Sequence, residues 1–448
     1  MTAPVLDSLP LHNRTLWLST LVFGWCFAIW TLYAFAGVNW QAQWQLSATE
    51  LGILLASPML SGALLRLPAG LLAQRFGAKQ VWLFAILFQS PPLWFLAYAQ
   101  SYSDYLLLGL WLGIAGVSFT LGSILAIVPV AESQRGIALG IFGTGNAGAI
   151  ASLLLFSYAE HWSLTTIFQW LSGINVLVAA VFWWFLPEPP PPATFLQTML
   201  SEAQSKPTRD QADVTIAQVH GEQVSRQIWR ESRLWRFALY YYFVFGCFLA
   251  LMLWLPHYYM TAYKLPSDQA FAFTLFFVTT SSLVRSLGGW LSARVGSRTV
   301  NWSVLWLCLI CLFFLSYPPS DLVISGIHQQ VSLHVEIGLW LFTLLIFVIG
   351  IAQGLGRASV YSLLYHYYPQ QFAVASGFVS AAGALGGFTL PILFGLAQDL
   401  AGIYSACFML LYGVTAICMM LMFWANRREQ FQRELARARA DNFLLEDD

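Results

Sequence analysis

The sequence predicts an all-α polytopic membrane protein of twelve transmembrane helices, divided into two pseudo-symmetric bundles of six. Three observations carry that prediction. Only 9% of the 448 residues are charged and 58% are hydrophobic, whereas a soluble domain carries about 25% charged residues. Twelve apolar runs reach the length of roughly 18 residues at which a helix is a candidate to span a bilayer. The two sets of six runs also repeat one another at matching positions.

Residues 1–15 are polar and lack a short apolar region ending in small residues, so no cleaved signal peptide is expected and the first span stays in the mature protein. Six spans follow near 16–38, 51–72, 80–99, 105–130, 136–158 and 165–186, making a first bundle over 16–186. Residues 187–234 open with the run PEPPPP, which extends as polyproline rather than helix, and continue with mixed charge. They read as a cytoplasmic linker and solvated tether, with a short helix near 222–233. Six more spans near 235–258, 270–292, 301–317, 338–365, 372–397 and 403–425 make a second bundle over 235–425. The charged tail, 426–448, reads as a solvated or surface-lying helix.

The formal net charge is zero, yet the charges are unevenly placed. Of 21 Lys and Arg, 17 fall in the N-terminus, the loops after even-numbered spans and the C-terminus, and only Lys264 falls in a loop on the other side. The positive-inside rule puts both termini and the linker in the cytoplasm, for a multi-pass protein of the inner membrane. Even-numbered spans then run from outside to inside. All six cysteines lie in apolar spans and read as buried small hydrophobes. No metal site, cofactor or nucleic-acid partner is expected, and the protein is expected to be a monomer in the lipid bilayer.

The halves match at two offsets. Adding 219 to Arg66, Gly70, Leu72, Arg75, Gly77 and Lys79 lands on Arg285, Gly289, Leu291, Arg294, Gly296 and Arg298. An offset of 237 aligns GIAGVSFTLGS (113–123) with GIAQGLGRASV (350–360), and GIFGTGNAGA (140–149) with GFVSAAGALG (377–386). Such repeats mark transporters whose site lies between two halves near mid-membrane. Here the chain resembles the major facilitator superfamily, whose loop signature after span 2 is similar to GLLAQRFGAKQ (70–80). Gln74 stands where that signature has aspartate, as does Ala293 in the second copy, and neither carries the charge on which that aspartate's gating contacts rest.

Arg66 and Arg285 each lie about 15 residues into their spans, on the order of 22 Å at the helical rise. An arginine at mid-helix costs roughly 2.5 to 3.5 kcal/mol on insertion scales. Snorkelling toward the membrane surface is one ordinary explanation, and a structural salt bridge is another. Against the second, no Asp or Glu occurs in the interior of any span. Fixed positive charge without a protein counter-charge predicts an anion as the missing partner, and the planar guanidinium fork suits flat oxyanions. An empty two-arginine site repels itself, which gives a carrier reason to reorient mainly when loaded and favours exchange of one anion for another.

Glycine-rich runs in spans 5 and 11 permit close helix packing on their own. Combined with repeat-matched arginines in spans 2 and 8, they resemble the nitrate/nitrite porter family of the superfamily. The residues concerned are Arg66 in LLRLPAG, Arg285 in LVRSLGG, Gly143, Gly145, Asn146 and Gly148 in span 5, and Gly377, Gly383, Gly386 and Gly387 in span 11. The resemblance implies that Arg66 and Arg285 hold the anion from opposite sides and that Asn146 shapes the site. It further implies aromatic rings from spans 4 and 7 around the anion; Phe119 matches the first, and Tyr241 is the best alignment for the second, with Phe237, Tyr240 and Tyr242 as neighbours. One departure stands out in span 10, where GLGRAS puts Arg357 in place of the family's asparagine. Binding a second anion, altering the choice between nitrate and nitrite, and turning away from the cavity all stay open for Arg357.

Proton symport normally needs a titratable group in the pathway. The candidates are His257 and His366, both near span ends. The resulting expectation is a carrier, not an enzyme, that moves nitrate and/or nitrite by alternating access, by antiport rather than proton symport. The alternatives are a superfamily carrier of another small anion or an exporter of amphipathic drugs. A membrane-embedded enzyme or sensor needs a ligand cluster, a nucleophile-base pair or an appended domain, and the sequence offers none of these.

Overall fold

The computed structural model describes residues 14–127, 130, 134–158, 162–187, 228, 230–325, 330–368 and 371–445. The first 13 residues and most of the expected linker, with most of its short helix, lie outside these. The described chain is mostly helical. Its first half holds α1 (Arg14–Trp30), α2 (Tyr33–Trp44), α3 (Ala48–Phe76), α4 (Ala78–Phe88), α5 (Ser90–Leu96), α6 (Tyr102–Leu112), α7 (Ser118–Ile127), α8 (Arg135–Gly143), α9 (Gly148–Tyr158) and α10 (Leu164–Phe185). The second half holds α11 (Ser232–Tyr241), α12 (Cys247–Ala262), α13 (Ser267–Leu291), α14 (Ser297–Leu315), α15 (Leu339–Tyr367), α16 (Phe372–Ala401) and α17 (Ala406–Leu445).

Among the described residues, ten helical stretches are long and apolar enough to cross a membrane. Two differences separate this number from the twelve expected spans. The expected spans 270–292 and 301–317 fall in one stretch, Ser267–Leu315, which passes through a π-turn at Ser292–Gly296. The expected span 80–99 is instead two short helices, α4 and α5, that meet at Gln89–Ser90 just before Pro91 and Pro92. Proline lacks an N–H and clashes with the preceding turn, so the ladder breaks there. Asn175 repairs the gap by donating to Ile86 O at 2.6 Å and to Ser90 Oγ at 2.8 Å, and by accepting from Gln89 Nε2 at 3.1 Å. Buried side-chain partners of this kind let broken helices persist at membrane depth.

The repeat has a backbone counterpart. Gly77 and Gly296, paired by the offset of 219, adopt φ of 88° and 94°, a region that L side chains avoid. Each ends one helix and starts the next.

The fold is not purely helical. Ser320–Ser325 and Gln330–Val335 pair as an antiparallel ribbon in the long connection before α15, which corrects the all-α expectation. The second strand, QVSLHV, alternates polar and apolar residues with the two-residue period of strands, and the first carries the β-branched pair Val323 and Ile324. Across the ribbon His334 Nδ1 meets Asp321 Oδ1 at 2.6 Å, and its other nitrogen lies 3.4 Å from Glu336. The hydrogen bond to Asp321, and then that to Glu336, hold the His334 imidazolium above its ordinary range. The last expected span continues without a break in α17 into the charged tail.

Two long helices, one from each chain half, α3 and α16, pack together and are joined at one end. Asp399, near the end of α16, accepts from Thr49 N at 2.9 Å, Thr49 Oγ1 at 2.6 Å and Ala48 N at 3.2 Å at the start of α3. Ser47 and Glu50 complete a capping box there, so the free N–H groups of the helix end are met by carboxylates that its dipole favours. At this same end His257 Nδ1 of α12 lies 2.8 Å from Gln41 Oε1 of α2.

Candidate functional site

Local breaks in helical regularity position the polar residues. A 3₁₀ stretch over Gly113–Val117 leads into α7 one residue before Phe119, and another over Thr144–Ala147 carries Asn146. A π-turn over Tyr242–Gly246 directly follows Tyr241. Such interruptions are concentrated at functional places in helical proteins.

Arg66 of α3 is buried. Its Nε donates to Gly116 O at 3.1 Å and its Nη1 to Ser380 O of α16 at 2.7 Å, so it ties the first half of the chain to the second. Its guanidinium carbon lies 5.2 Å from the Trp30 ring centroid, 5.6 Å from Phe119 and 5.7 Å from Phe245. Arg285 of α13 is equally buried and lies 5.3 Å from the same Phe119 ring. Phe119 is thus a shared neighbour of both arginines and bounds the separation of their guanidinium carbons at about 11 Å. Neither charge reaches solvent, so snorkelling does not explain them.

Asn146, with its amide oxygen turned toward the two donors that face it, accepts from Arg285 Nη1 at 3.0 Å and Arg357 Nη1 at 2.8 Å. Those two nitrogens are therefore within about 6 Å of one another, where unit charges repel by about 3 kcal/mol at an effective dielectric of about 20. Arg357 of α15 is fully buried, and its departure from the expected family pattern places it in the cluster rather than away from it. Its Nε donates to Gln353 O at 3.3 Å, while Nη2 reaches both the carbonyl of Ser281 and, at 2.8 Å, the Ser281 hydroxyl. Its guanidinium carbon also stacks 4.1 Å from the Phe248 centroid. Among the described residues no Asp or Glu is buried, so the three arginines face only neutral acceptors.

The donor account differs sharply among the three. A guanidinium carries five N–H donors. Arg357 has its Nε, one Nη1 donor and its Nη2 engaged, whereas Arg285 has one bond, through Nη1, and a buried Nε with no partner. Arg66 is bonded through Nε and Nη1 only. A buried donor without a partner costs the desolvation of that group, so Arg285 has the most donor capacity to spare, with Arg66 next.

The expected pair of rings, Phe119 and Tyr241, does not meet directly. Tyr361 stands between them, 5.7 Å from Phe119 and 5.0 Å from Tyr241, and its hydroxyl donates to Ser376 O at 3.3 Å. Tyr241 also stacks on Phe245 at 5.2 Å, and its buried hydroxyl has no hydrogen-bond partner. Tyr241 and Tyr361 are both electrostatic neighbours of Arg66. Tyr361, Phe245 and Trp30 were not singled out by the sequence. Tyr361 follows Arg357 by four residues and Phe245 follows Tyr241 by four, the spacing that puts two side chains on one helix face.

The glycines act mainly by closeness. A Cβ on Gly143 would collide with the Arg285 guanidinium and lie 2.8 Å from its Cδ. On Gly383 it would lie 2.6 Å from the Tyr241 ring, on Gly386 2.8 Å from Gly246 Cα, and on Gly387 2.7 Å from Leu249. Gly145 faces Phe23 and Thr20 O, and Gly148 faces the carbonyl of Gly24. Gly377 differs from these: its nearest neighbour, Leu67 Cδ2, is at an ordinary 3.6 Å.

The two histidines stand apart from the arginines. His257 follows Tyr241 by sixteen residues, about 24 Å along a helix axis, and His366 is exposed near the end of α15. The six cysteines are free and buried, and no group of three His, Cys, Asp or Glu able to hold a metal occurs among the described residues.

Comparison with known proteins agrees with this architecture. The family model of the Major Facilitator Superfamily matches residues 16–333. A probable nitrate/nitrite antiporter of Thermus thermophilus, NarK1, is 33% identical over 431 residues, covering 92% of this chain and 91% of that protein. A nitrite extrusion protein of Bacillus subtilis is 26% identical, covering 92% and 94% respectively. Among solved structures, the human organic anion transporter MFSD10 (TETRAN) aligns with a TM-score of 0.65 at 16% identity over 92% of this chain and 99% of that one, which is a likeness of fold. A match of that extent, together with a relative one-third identical along nearly the whole chain, means that this protein belongs to the Major Facilitator Superfamily and, within it, to the nitrate/nitrite porter family.

Proposed function

We propose that the chain carries nitrate and/or nitrite across a bacterial inner membrane by alternating access, exchanging one anion for another. In this reading twelve spans form two six-helix bundles, with both termini cytoplasmic, and the anion lies between Arg66 and Arg285. The observation that carries it is the buried, unpartnered Nε of Arg285, in a cluster that holds three arginines, the unpartnered hydroxyl of Tyr241 and no buried carboxylate among the described residues. A small oxyanion supplies the acceptors that these donors lack.

The chemistry of exchange follows from charge. Three guanidinium groups and one monovalent anion leave two net positive charges, and without the anion the cluster repels itself more strongly. Moving the empty site through the membrane is then the costly step, and return with a second anion is the favoured one. Proton coupling has little support, because His257 and His366 stand far along their helices from the arginines. Arg357 serves as a positioning residue in this scheme: its donors are spent on Ser281, Gln353 and Asn146, and it holds Asn146 toward Arg285.

The contacts of Asp399 with Thr49 and of His257 with Gln41 lie at the end that positive-inside orientation assigns to the outside. They bridge the proposed bundles there and must part for the site to open outward. Counterflow tests the proposal. Labelled nitrate should enter liposomes preloaded with nitrite and should not accumulate in anion-free liposomes under an inward proton gradient; accumulation in the second case sinks the exchange reading.

A further inference from the structure

A second cluster of arginines lies away from the site. Arg233 and Arg236 at the start of α11 and Arg298 at the start of α14 line one small cavity with Tyr240, Tyr367 and Asn426. Tyr367 lies ten residues beyond Arg357 on α15, about 15 Å along the helix axis. Arg233 and Arg298 both flank the Tyr367 ring, with guanidinium carbons 4.3 and 5.5 Å from its centroid.

Two features separate this cluster from the ordinary run of cationic residues at a membrane surface. First, the Nε atoms of both Arg233 and Arg236 are sealed from solvent and have no hydrogen-bond partner. Both residues are otherwise partly exposed. The neighbouring carboxylate, Glu231, is taken up by the Tyr368 hydroxyl at 2.7 Å. Second, the surroundings of the cavity have the composition of a membrane interface. Trp235 and Trp424 beside it are 55% and 59% exposed, as tryptophans of an interfacial belt are. α17 also changes there from apolar residues to Asn426, Arg427 and Arg428.

We propose that this cavity binds a phosphate group, held by the guanidinium groups of Arg233, Arg236 and Arg298 with Asn426 as a further donor. Converging guanidinium forks match the several oxygens of a phosphate in number and geometry. The phosphate is that of an anionic lipid headgroup or of a free phosphate in solution, and basic pockets between transmembrane helices are suited to the first. The site is independent of the transported anion and of the exchange reading.

The test uses the full chain in detergent. Native mass spectrometry would measure retention of dioleoylphosphatidic acid against dioleoylphosphatidylcholine, and thermal shift would measure inorganic phosphate against nitrate. Wild type should retain phosphatidic acid over phosphatidylcholine, or be stabilised by inorganic phosphate over nitrate, and the arm that responds identifies the source. R233Q and R236Q should each weaken that response about tenfold, while R427Q, beyond the cavity, should leave it unchanged. Equal responses in wild type, R233Q and R236Q overturn the proposal, as do equal responses to phosphate-bearing and control probes in wild type. If either Gln variant fails to run as a monodisperse species, R233K and R236K replace them; retention unaltered in both Lys variants and in R298Q also overturns it.

Discussion

Arg285 and Arg357 donate to a single atom, Oδ1 of Asn146, at 3.0 and 2.8 Å. Two cations from the second half of the chain therefore converge on one neutral acceptor from the first half. Neutrality at residue 146 is the point of interest, because a carboxylate there would fill the role proposed for the anion. Asn146→Asp should raise the melting temperature of the purified protein and lower its nitrate affinity at least tenfold, since one positive charge is cancelled internally. Unchanged affinity in a folded Asn146→Asp protein would contradict this.

Arg357→Asn restores the residue that resemblance to the family leads one to expect. Because the donors of Arg357 are engaged with Ser281, Gln353 and Asn146, the variant should keep exchange, with a nitrate KM raised only a fewfold. It should also alter the nitrate-to-nitrite preference as Asn146 relaxes. Loss of exchange as complete as in an Arg285 variant would make Arg357 a direct ligand instead.

Gly143 and Gly377 offer a matched comparison. A methyl group at Gly143 collides with the Arg285 side chain, whereas at Gly377 it meets only Leu67 Cδ2 at 3.6 Å. Gly143→Ala should displace Arg285 and reduce nitrate affinity about tenfold or more, at a cost of ~1 to 3 kcal/mol for overpacking. Gly377→Ala should be close to wild type in both stability and affinity. Equal effects in the two variants would mean that these glycines act through something other than contact with the site.

Asp399 holds the start of α3 through three hydrogen bonds. Asp399→Asn keeps the shape but removes the charge that the helix end favours, a loss of about 0.3 to 1 kcal/mol at this exposed position. Spin labels at Gln43 and Lys264 should then show a longer distance population than in the parent protein, as that end of the bundle opens. An unaltered distance distribution would remove Asp399 from the gate.

Much of the architecture was legible because its physical causes are local. Arg66, Arg285 and Arg357 stand out as charges inside apolar runs, and Gly77 and Gly296 match at a constant offset that the backbone repeats in positive φ. The break at Gln89–Ser90 had a visible cause in Pro91 and Pro92, yet length alone made 80–99 look like one span. The ribbon at 320–335 was hidden by its setting, since an alternating stretch between two long apolar helices reads as loop. Tyr361, Phe245 and Trp30 escaped notice for another reason. In a chain with 16% aromatic residues composition does not mark one ring as special, and only tertiary contact sets Tyr361 between Phe119 and Tyr241.

The central claim, that Arg66 and Arg285 together hold the transported anion, is tested most directly by nitrate titration of the purified protein beside Arg66→Lys and Arg285→Lys. Lysine keeps the charge and loses the planar fork, so a site built on charge alone would survive the exchange of residues. Nitrate affinity should fall about tenfold or more in each variant, with the larger loss in Arg285→Lys, whose arginine has more unspent donors. Wild-type affinity in either folded variant would contradict it.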